Sequence, residues 1–241
     1  MNPARRRIKE RLARRELVIG ISPAYPAAGL AEFLASRGFD MIFIDCEYAG
    51  PDIEGVVEMA RAARAAGAAA VLRPWSKDPG LIRRYLNCGI DGLIAPEIES
   101  AAEVQTILDV ITHTNPPDAK NILLMPLIES VKGVDNVEDI LKLAGVDSIQ
   151  IGTADLAVSL GLPRRGDHAE VRDIAFDILK RARALGKSAG APVNVYGIAP
   201  VLEAGANCFM FFLNDLLAQT VDATLAAFPQ RAARADRQQG A

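Results

Sequence analysis

The amino-acid sequence predicts an α/β fold in which eight strand–helix units form one domain. Eight short apolar stretches alternate with helical patterns along the 241 residues. These stretches are continuous rather than alternating, as expected for parallel strands that are buried on both faces. The number of units, the chain length and the lack of a GxGxxG sequence after the first strand favour a closed (β/α)8 barrel, the TIM barrel, over a doubly wound open sheet.

The strands are predicted from runs such as "LVIGIS" and "DMIFID", in which apolar residues dominate. The seventh run, "KSAGAP", is the weakest of the eight. The predicted strands cover residues 17–22, 40–45, 69–74, 91–96, 121–130, 146–152, 187–192 and 208–213.

A helical pattern follows each strand, and local sequence marks several helix ends. Gly38 closes the helix after the first strand, Pro79 lies near the start of a later one, and Ser100 is a candidate N-cap. After the sixth strand we expect a loop and then a helix from about Ala169 to Leu185. Residues 112–120, "THTNPPDAK", are predicted to be a linker.

The chain shows no break in composition, so residues 1–241 are predicted to form a single domain. Residues 1–16 carry a basic run with Glu and Leu at helical spacing, which predicts a solvated opening helix rather than an interaction arm. Residues 229–241 are polar and are predicted to be a flexible tail.

Composition argues against several classes of protein. The net charge is −3 and the isoelectric point about 5.5, so a nucleic-acid partner is not expected. No apolar run approaches the roughly 18 residues of a membrane span, and the start lacks the apolar core of a signal peptide. Cys46, Cys88 and Cys208 show no paired spacing, which predicts buried free thiols in a reducing cytoplasm.

Polar residues cluster where the predicted strands end, the position of active sites in barrel enzymes. Carboxylates gathered at one mouth repel one another and raise each other's pKa values, and a hard divalent cation held by two of them would relieve this. The residues are Asp45, Glu47 and Tyr48 after the second strand, Arg73 at the third, Glu97 and Glu99 after the fourth, Glu129 at the fifth and Asp155 after the sixth.

These residues also have ordinary structural interpretations. Asp155 could cap the helix that follows it, and Arg73 could simply pair with a nearby acid. Glu97 and Glu99 are of a type more often found on the surface. The two histidines, His113 and His168, lie at helix ends and are expected to be exposed, so neither is a good candidate for a general base.

Three long stretches carry a resemblance to a known family. "GFDMIFIDCEYAG" is similar to the pattern "GFDxxxIDxEHxP/G", and "LRPWSKDPGLIRRYLNCGIDGLIAPEIESAAEV" contains an arginine strand with its helix. "PLIESVKGVDNVEDILKLAGVDSIQIGTADLAVSLGLP" is similar to "xxIEtxxaxxnxdeIxxxxGvDxxxIGpaDLsxSLG". From about Leu17 to Leu217 the chain thus resembles the HpcH/HpaI-type class II metal-dependent pyruvate aldolases, which include 2,4-dihydroxyhept-2-ene-1,7-dioate aldolase.

The resemblance implies roles for the matched residues. Glu129 and Asp155 would hold a divalent cation, usually Mg²⁺, Mn²⁺ or Co²⁺. Arg73 would reach the keto or enolate oxygen, so that the cation and Arg73 stabilise the negative charge that develops on oxygen as an enolate forms.

The resemblance also implies a carboxylate site and an assembly. Backbone N–H groups of Gly152, Thr153 and Ala154 would bind the pyruvate carboxylate, although the family usually has proline where Thr153 stands. Members form hexamers in which the last helix packs on a neighbour. We therefore expect a homo-oligomer, and the helix from Asp215 to Phe228 is apolar enough for that role.

The chain departs from the family at three places. The family's histidine after "DxE", the proposed acid/base, is Tyr48 here, and the aspartate that orients it is Asn87. A family insertion before the fifth strand, with the motif "PPxGxRG", is shortened to "THTNPPDAKN". A phenol with a pKa near 10 is a poor base at neutral pH but a fair hydrogen-bond donor. Tyr48 is thus an acid/base, a group that orients water, or part of a site that binds without turnover.

The first hypothesis is a lyase that cleaves or forms a carbon–carbon bond next to a 2-keto acid, through a metal-stabilised enolate, with an aldehyde or acyl partner. Tyr48 would be the altered acid/base. Asp45 and Glu47 would organise waters or orient Arg73, or only fix the loop. The alternatives are a related metal–enolate reaction, such as 2-keto-acid decarboxylation or a citrate-type or acyl-CoA condensation, and a silent barrel that binds a metabolite.

Overall fold

The computed structural model describes residues 3–48, 50–114, 117 and 119–228; the predicted flexible tail, residues 229–241, lies outside this range. Within it, eight parallel strands form a nearly closed barrel, which confirms the predicted TIM barrel. The strands are β1 (Val18–Ser22), β2 (Met41–Asp45), β3 (Ala69–Arg73), β4 (Gly92–Ala95), β5 (Leu123–Ile128), β6 (Ser148–Ile151), β7 (Ser188–Gly190) and β8 (Cys208–Phe212).

Helices connect consecutive strands and pack against the outside of the barrel. The described helices are α1 (Pro3–Ala13), α2 (Ala28–Ser36), α3 (Ile53–Ala65), α4 (Pro79–Leu86), α5 (Ala101–Thr114), α6 (Val131–Asp135), α7 (Val137–Lys142), α8 (Thr153–Ser159), α9 (Ala169–Ala184), α10 (Val193–Tyr196), α11 (Ile198–Ala204) and α12 (Leu213–Ala226), with a 3-10 turn at Ala119–Asn121.

Two segments predicted to be irregular contain helical residues within the described part of the chain. The predicted linker 112–120 begins inside α5, where the hydroxyls of Thr112 and Thr114 each donate to the carbonyl four residues earlier, at 2.8 and 2.7 Å. The predicted loop after the sixth strand contains α8. This short helix forms because Leu156 is completely buried and packs with Val171 of α9.

The predicted opening helix is present, but only one of its sides is solvated. On α1, Ile8 and Leu12 are buried in the cluster that fills the inside of the barrel, beside Leu123 and Cys208. Lys9 fixes the helix, because its Nζ lies 2.7 Å from Asp147 Oδ2. The basic residues of the run mask this buried stripe in the sequence, and α1 closes the amino-terminal end of the barrel.

The seam between β7 and β8 is held by Asn207 rather than by a strand ladder. Its backbone N–H donates to the carbonyl of Ala189 at 3.0 Å, and its Oδ1 accepts from the Ala189 N–H at 3.3 Å. Its Nδ2 donates to Ser188 Oγ at 2.8 Å and to the Glu16 carbonyl at 3.0 Å. One side chain therefore joins β7, β8 and the segment before β1.

Alternation along the strands sets which residues reach the mouth. Leu123, Met125 and Leu127 of β5 lie inside the barrel, so Glu129, two positions further on, continues the inward-facing series. Asp45 and Arg73 occupy the same position at the ends of β2 and β3 and are aligned with each other in the sheet register.

The three cysteines are buried and free, as predicted. No helix in the described part of the chain is both long enough and apolar enough to cross a membrane.

Candidate active site

Arg73 lies at the carboxyl-terminal mouth between two acids. Its Nε and Nη2 donate to Asp45 Oδ1 and Oδ2 at 3.0 and 2.6 Å. Its Nη1 lies 2.6 Å from the buried Glu47 Oε2, an ion pair that lacks hydrogen-bond alignment. Burial lowers the pKa of Arg73, but the hydrogen bond and charge of Asp45 raise it overall, so the guanidinium stays charged. Both acids therefore orient Arg73, one of the alternatives left open by the sequence.

Two aromatic rings surround the Arg73 guanidinium. Its central carbon lies 5.6 Å from the centroid of Phe43 and 5.1 Å from that of Tyr48. A cation over aromatic faces is attracted to the ring electrons and is held in one orientation. Together with the paired acids, the rings leave Arg73 little freedom to move when a ligand arrives.

Glu129 is 6 % exposed and is positioned by the loop after β4. Its Oε1 accepts the backbone N–H of Glu97 at 2.6 Å. Glu97 adopts a φ of 53°, and Lys77 Nζ donates to its carbonyl at 2.7 Å. The Glu97 side chain is on the surface, as its residue type suggested, yet its backbone fixes an active-site carboxylate.

Burial is the main cause that raises the pKa of Glu129 to about 7, well above its ordinary value. The N–H of Glu97 lowers it, while the charges of Glu47 and Asp155 raise it further. Gly152 leaves room for this carboxylate, because a Cβ there would lie 2.5 Å from Glu129 Oε2.

Asp155 lies in the first turn of α8 and is not its N-cap, a position that Gly152 occupies. Its two carboxylate oxygens face Arg164, with Oδ1 2.7 Å from Nη1 and Oδ2 3.0 Å from Nη2. The Tyr48 hydroxyl lies 3.4 Å from Asp155 Oδ2 and also accepts from Arg164 Nη2. The structure thus places the family's histidine position directly beside Asp155.

Tyr48 is 61 % exposed, and its surroundings keep it protonated. Partial burial raises its pKa first, followed by the charges of Glu47 and Asp155, and the arginines Arg164 and Arg73 offset this only in part. The phenol is therefore a proton donor at neutral pH rather than a base.

The predicted carboxylate-binding segment differs in one respect from the expectation. The N–H of Gly152 donates to the Ile128 carbonyl at 3.0 Å, so it is committed to the barrel and not to a ligand. Thr153 and Ala154 open α8 and line the cavity, and the first N–H groups of a helix have no partner within it.

Other residues singled out in the sequence lie apart from the cluster. Glu99 pairs with Lys132 at 3.0 Å, and Asn87 is exposed at the C-cap of α4. His113 is exposed, as expected, whereas His168 is half-buried. The ring nitrogens of both histidines contact backbone carbonyls of their own segments.

Sequence reasoning missed two side chains of the site. Arg164 stands in "PRRGD" after α8, and its adjacent arginines near the acid-rich mouth are the signal that could have found it. Gln150 stands in "SIQIG", where the period-two alternation of a strand places it on the same face as Gly152.

The residues enclose a cavity of about 280 Å³ that opens at the mouth. Arg73, Glu129, Asp155 and Arg164 line its polar part. Much of the remaining lining is apolar and includes Phe43, Ile94, Leu127, Met210 and Phe212.

Glu129 and Asp155 fit a hard divalent cation. Both offer carboxylate oxygens to one cavity. The charge of Asp155 helps to raise the pKa of Glu129, and a cation between the two carboxylates would relieve this repulsion. Among the described residues no group of three or more His, Cys, Asp or Glu side chains could hold a metal ion. Remaining ligand positions would therefore belong to oxygens of substrate and solvent.

A barrel mouth that combines convergent carboxylates with an oriented arginine suits an enzyme reaction in which negative charge develops on oxygen. Residues 24–195, most of the chain, match the family model described as HpcH/HpaI aldolase/citrate lyase. The chain belongs to this family, which confirms the resemblance seen in its motifs. It is an enzyme of the carbon–carbon lyase type.

Its relatives include aldolases and a synthase. The 2-keto-3-deoxy-L-rhamnonate aldolase of Escherichia coli K12 is 28% identical over 251 aligned residues, which cover 91% of this chain and 92% of the relative. The crystal structure of the citrate synthase SbnG is 28% identical with a TM-score of 0.81, covering 93% of this chain and 98% of that one. A family protein from Burkholderia cenocepacia J2315, 24% identical with a TM-score of 0.83, supports the fold; it covers 92% of this chain and 98% of its own.

Proposed function

We propose that the protein is a divalent-metal-dependent aldolase that cleaves or forms a carbon–carbon bond next to a 2-keto acid, through an enolate. The observation that carries this is the convergence of Glu129, Asp155 and the oriented Arg73 on one cavity, in a family of aldolases. The rhamnonate aldolase relative supports a hydroxylated 2-keto acid as the substrate class and an aldehyde as the second partner.

Glu129 and Asp155 would hold the cation, with Mg²⁺, Mn²⁺ and Co²⁺ as candidates. When bound, such a cation polarises the keto group and stabilises negative charge on its oxygen. Arg73 adds a fixed positive charge at the same mouth, and Asp45 and Glu47 keep it in place before the reaction begins. The N–H groups of the α8 turn, at Thr153 and Ala154, would receive the carboxylate.

Tyr48 suits the condensation direction. As the new bond forms, the aldehyde oxygen becomes an alkoxide and needs a proton, which the Tyr48 hydroxyl can supply because the phenol stays protonated. The cleavage direction needs the phenolate instead, which the charges of Arg164 and Arg73 favour only in part, so the raised pKa of Tyr48 favours condensation.

A citrate-type condensation is the second candidate. The citrate synthase SbnG is as similar in sequence as the aldolase relative and covers nearly the whole chain. In this reaction an acyl partner or second keto acid would replace the aldehyde, while the enolate-forming half of the site would stay the same.

We also propose a homo-oligomer, without nucleic-acid or membrane partners, in the cytoplasm. Four apolar side chains of the last helix and its end are 38–58 % exposed: Leu217, Val221, Leu225 and Phe228. Their spacing forms one stripe that a neighbouring subunit could cover. The three free thiols suit a reducing compartment.

Exchange of the methyl protons of pyruvate in D₂O, followed by NMR with Mg²⁺ present, tests the enolate chemistry. We expect exchange in the wild type and its loss in Glu129→Ala. Glu99→Ala is the matched control, since Glu99 pairs with Lys132. This variant should catalyse the exchange of the pyruvate protons as the wild type does. Tyr48→Phe separates two roles of the phenol: retained exchange places it on the aldehyde oxygen, and lost exchange makes it the group that carries the methyl proton. Binding of Mg²⁺ and pyruvate without any exchange would contradict the aldolase and favour a silent binding barrel.

A further inference from the structure

Gln150 is a buried polar group that the proposed chemistry does not use. It stands on β6, is 7 % exposed and lines the cavity. Its Nε2 is buried and has no hydrogen-bond partner among the described residues. The amide lies close enough to the Cys208 thiol to lower the pKa of that thiol, but a thiol is only a weak acceptor. A buried amide N–H without a strong acceptor destabilises the folded protein, so we expect that a hydrogen-bond partner from outside the chain completes it.

The sheet holds this amide in a fixed place. Gln150 is aligned with Leu127 on β5 and with Gly190 on β7. A Cβ at Gly190 would lie 2.6 Å from Gln150 Oε1 and 3.0 Å from its Nε2. The glycine therefore leaves the space that the amide fills, and rigid strands support it on both sides.

The depth of Gln150 in the cavity and the polarity of the surrounding walls decide which ligand group could hydrogen-bond its amide. The charged residues that line the described cavity, Arg73, Glu129, Asp155 and Arg164, all lie at or beyond the ends of their strands. Leu127 and Met210, which also line the cavity, stand before the ends of β5 and β8 and are apolar, and Leu127 is aligned with Gln150 in the sheet. A carboxylate at this depth would have no cation beside it, so a neutral group is favoured.

We infer that Gln150 is a specificity-determining residue that hydrogen-bonds a neutral hydroxyl or carbonyl group on the substrate chain, which reaches down into the barrel. This rests on the proposed function, because the 2-keto-acid end must sit at the mouth. An amide carries both donors and an acceptor, so it can serve a hydroxyl in either direction.

The strand geometry fixes the length of such a substrate. Gln150 lies two residues before Gly152, which adjoins the carboxylate of Glu129. Two residues along a strand span roughly 7 Å. A chain of three or four atoms beyond the keto carbon, ending in a hydroxyl, covers this distance.

Two stable analogues of such a substrate provide the test. Oxamate carries an amide nitrogen where pyruvate has its methyl group, so it cannot form the enolate. N-(2-Hydroxyethyl)oxamate and N-propyloxamate extend it by chains that differ only in a terminal hydroxyl or methyl group. Calorimetry with the Mg²⁺-loaded full chain would compare the three ligands in the wild type, in Gln150→Leu and in Gln150→Asn, whose amide is too short to reach.

We expect the wild type to prefer the hydroxyethyl ligand roughly five- to tenfold over the propyl ligand, the effect of one hydrogen bond to a buried group. Gln150→Leu should reverse this preference, and Gln150→Asn should remove it. The affinity for oxamate itself should stay the same in all three, which shows that each variant is folded and its mouth intact.

An unchanged preference in both variants would overturn the role of Gln150 and leave the proposed function standing. Failure of oxamate to bind the metal-loaded wild type would instead overturn the proposed 2-keto-acid site, and the inference with it.

Discussion

Arg164 and Asp155 face each other through two nitrogen–oxygen contacts, of 2.7 and 3.0 Å. The guanidinium thus takes up both oxygens of a carboxylate that we propose as a metal ligand. Arg164 also stacks over the ring of Tyr48, with its central carbon 5.6 Å from the centroid. The loop after α8 therefore brings a protein cation to the place where a metal ion would act.

Replacing Arg164 with alanine should tighten Mg²⁺ binding roughly two- to fivefold, the usual strength of a partly exposed ion pair. The cation would no longer compete with the guanidinium for Asp155. Titration calorimetry, or electron paramagnetic resonance with Mn²⁺, measures the change. Arg165→Ala is the control, since Arg165 pairs with Asp167 at 3.3 Å and should leave the affinity unchanged. Equal effects of the two changes would contradict a specific competition at Asp155.

Glu129 should make the metal-free protein less stable as the pH rises. Its pKa of about 7 in the folded state lies above the ordinary 4.5, so folding favours the protonated form. Stability from this group is complete below pH 4.5 and is lost as the pH rises through 7. The gap corresponds to roughly 3 kcal/mol as an upper limit, at 1.36 kcal/mol per pKa unit.

Glu129→Gln keeps the shape of the protonated acid and should remove this dependence. In urea unfolding with a chelator, the variant should match the wild type at pH 4.5 and exceed its free energy of unfolding at pH 8. Added Mg²⁺ should stabilise the wild type at pH 8 but not the variant. Parallel pH profiles for the two proteins would rule out the raised pKa.

Leu12→Ala should destabilise the protein by about 2–5 kcal/mol, because it opens a cavity beneath the barrel core. Leu12 is 1 % exposed, whereas Leu17, 46 % exposed, offers a matched surface control that should change stability little. Urea unfolding gives both values. A small loss for Leu12→Ala, similar to that for Leu17→Ala, would mean that α1 does not close the barrel.

Charges on the last helix should break the proposed assembly. Leu217→Glu combined with Val221→Glu places two carboxylates on the apolar stripe, and light scattering should show a lower mass than for the wild type. Gln219→Glu adds a charge on another face of α12 and should keep the assembly intact. A wild-type protein that is already monomeric would contradict the homo-oligomer itself.

Sequence patterns predicted the parts of the molecule that follow from periodicity. The strands are short and continuously apolar, and Asp45, Arg73 and Glu129 were found because strand ends in a barrel share one mouth. The motif around Asp155 added residues that spacing alone left ambiguous. These predictions depend on the spacing of residues that are near one another along the chain, which can be read directly from the sequence.

Features that depend on contacts between distant segments could not be predicted. Arg164 meets Tyr48 across 116 positions of the chain, and Lys9 meets Asp147 across 138. The hydrogen bond from the Gly152 N–H to the Ile128 carbonyl depends on the register between β5 and β6. Burial of Leu12 likewise follows from where α1 docks, whereas its basic neighbours suggest exposure.

Because of the seam at Asn207, the strands of the barrel are not joined equally strongly all the way round. Between β7 and β8 the side chain and backbone N–H of one residue, Asn207, make the links that a ladder of peptide groups makes elsewhere, so local opening should start along this line. Ala189 and its neighbours on the seam would then exchange their amide hydrogens sooner than the central strands. Since Ala191 follows β7, Met210 stands on β8 and both line the cavity, that opening would also widen the cavity on this side.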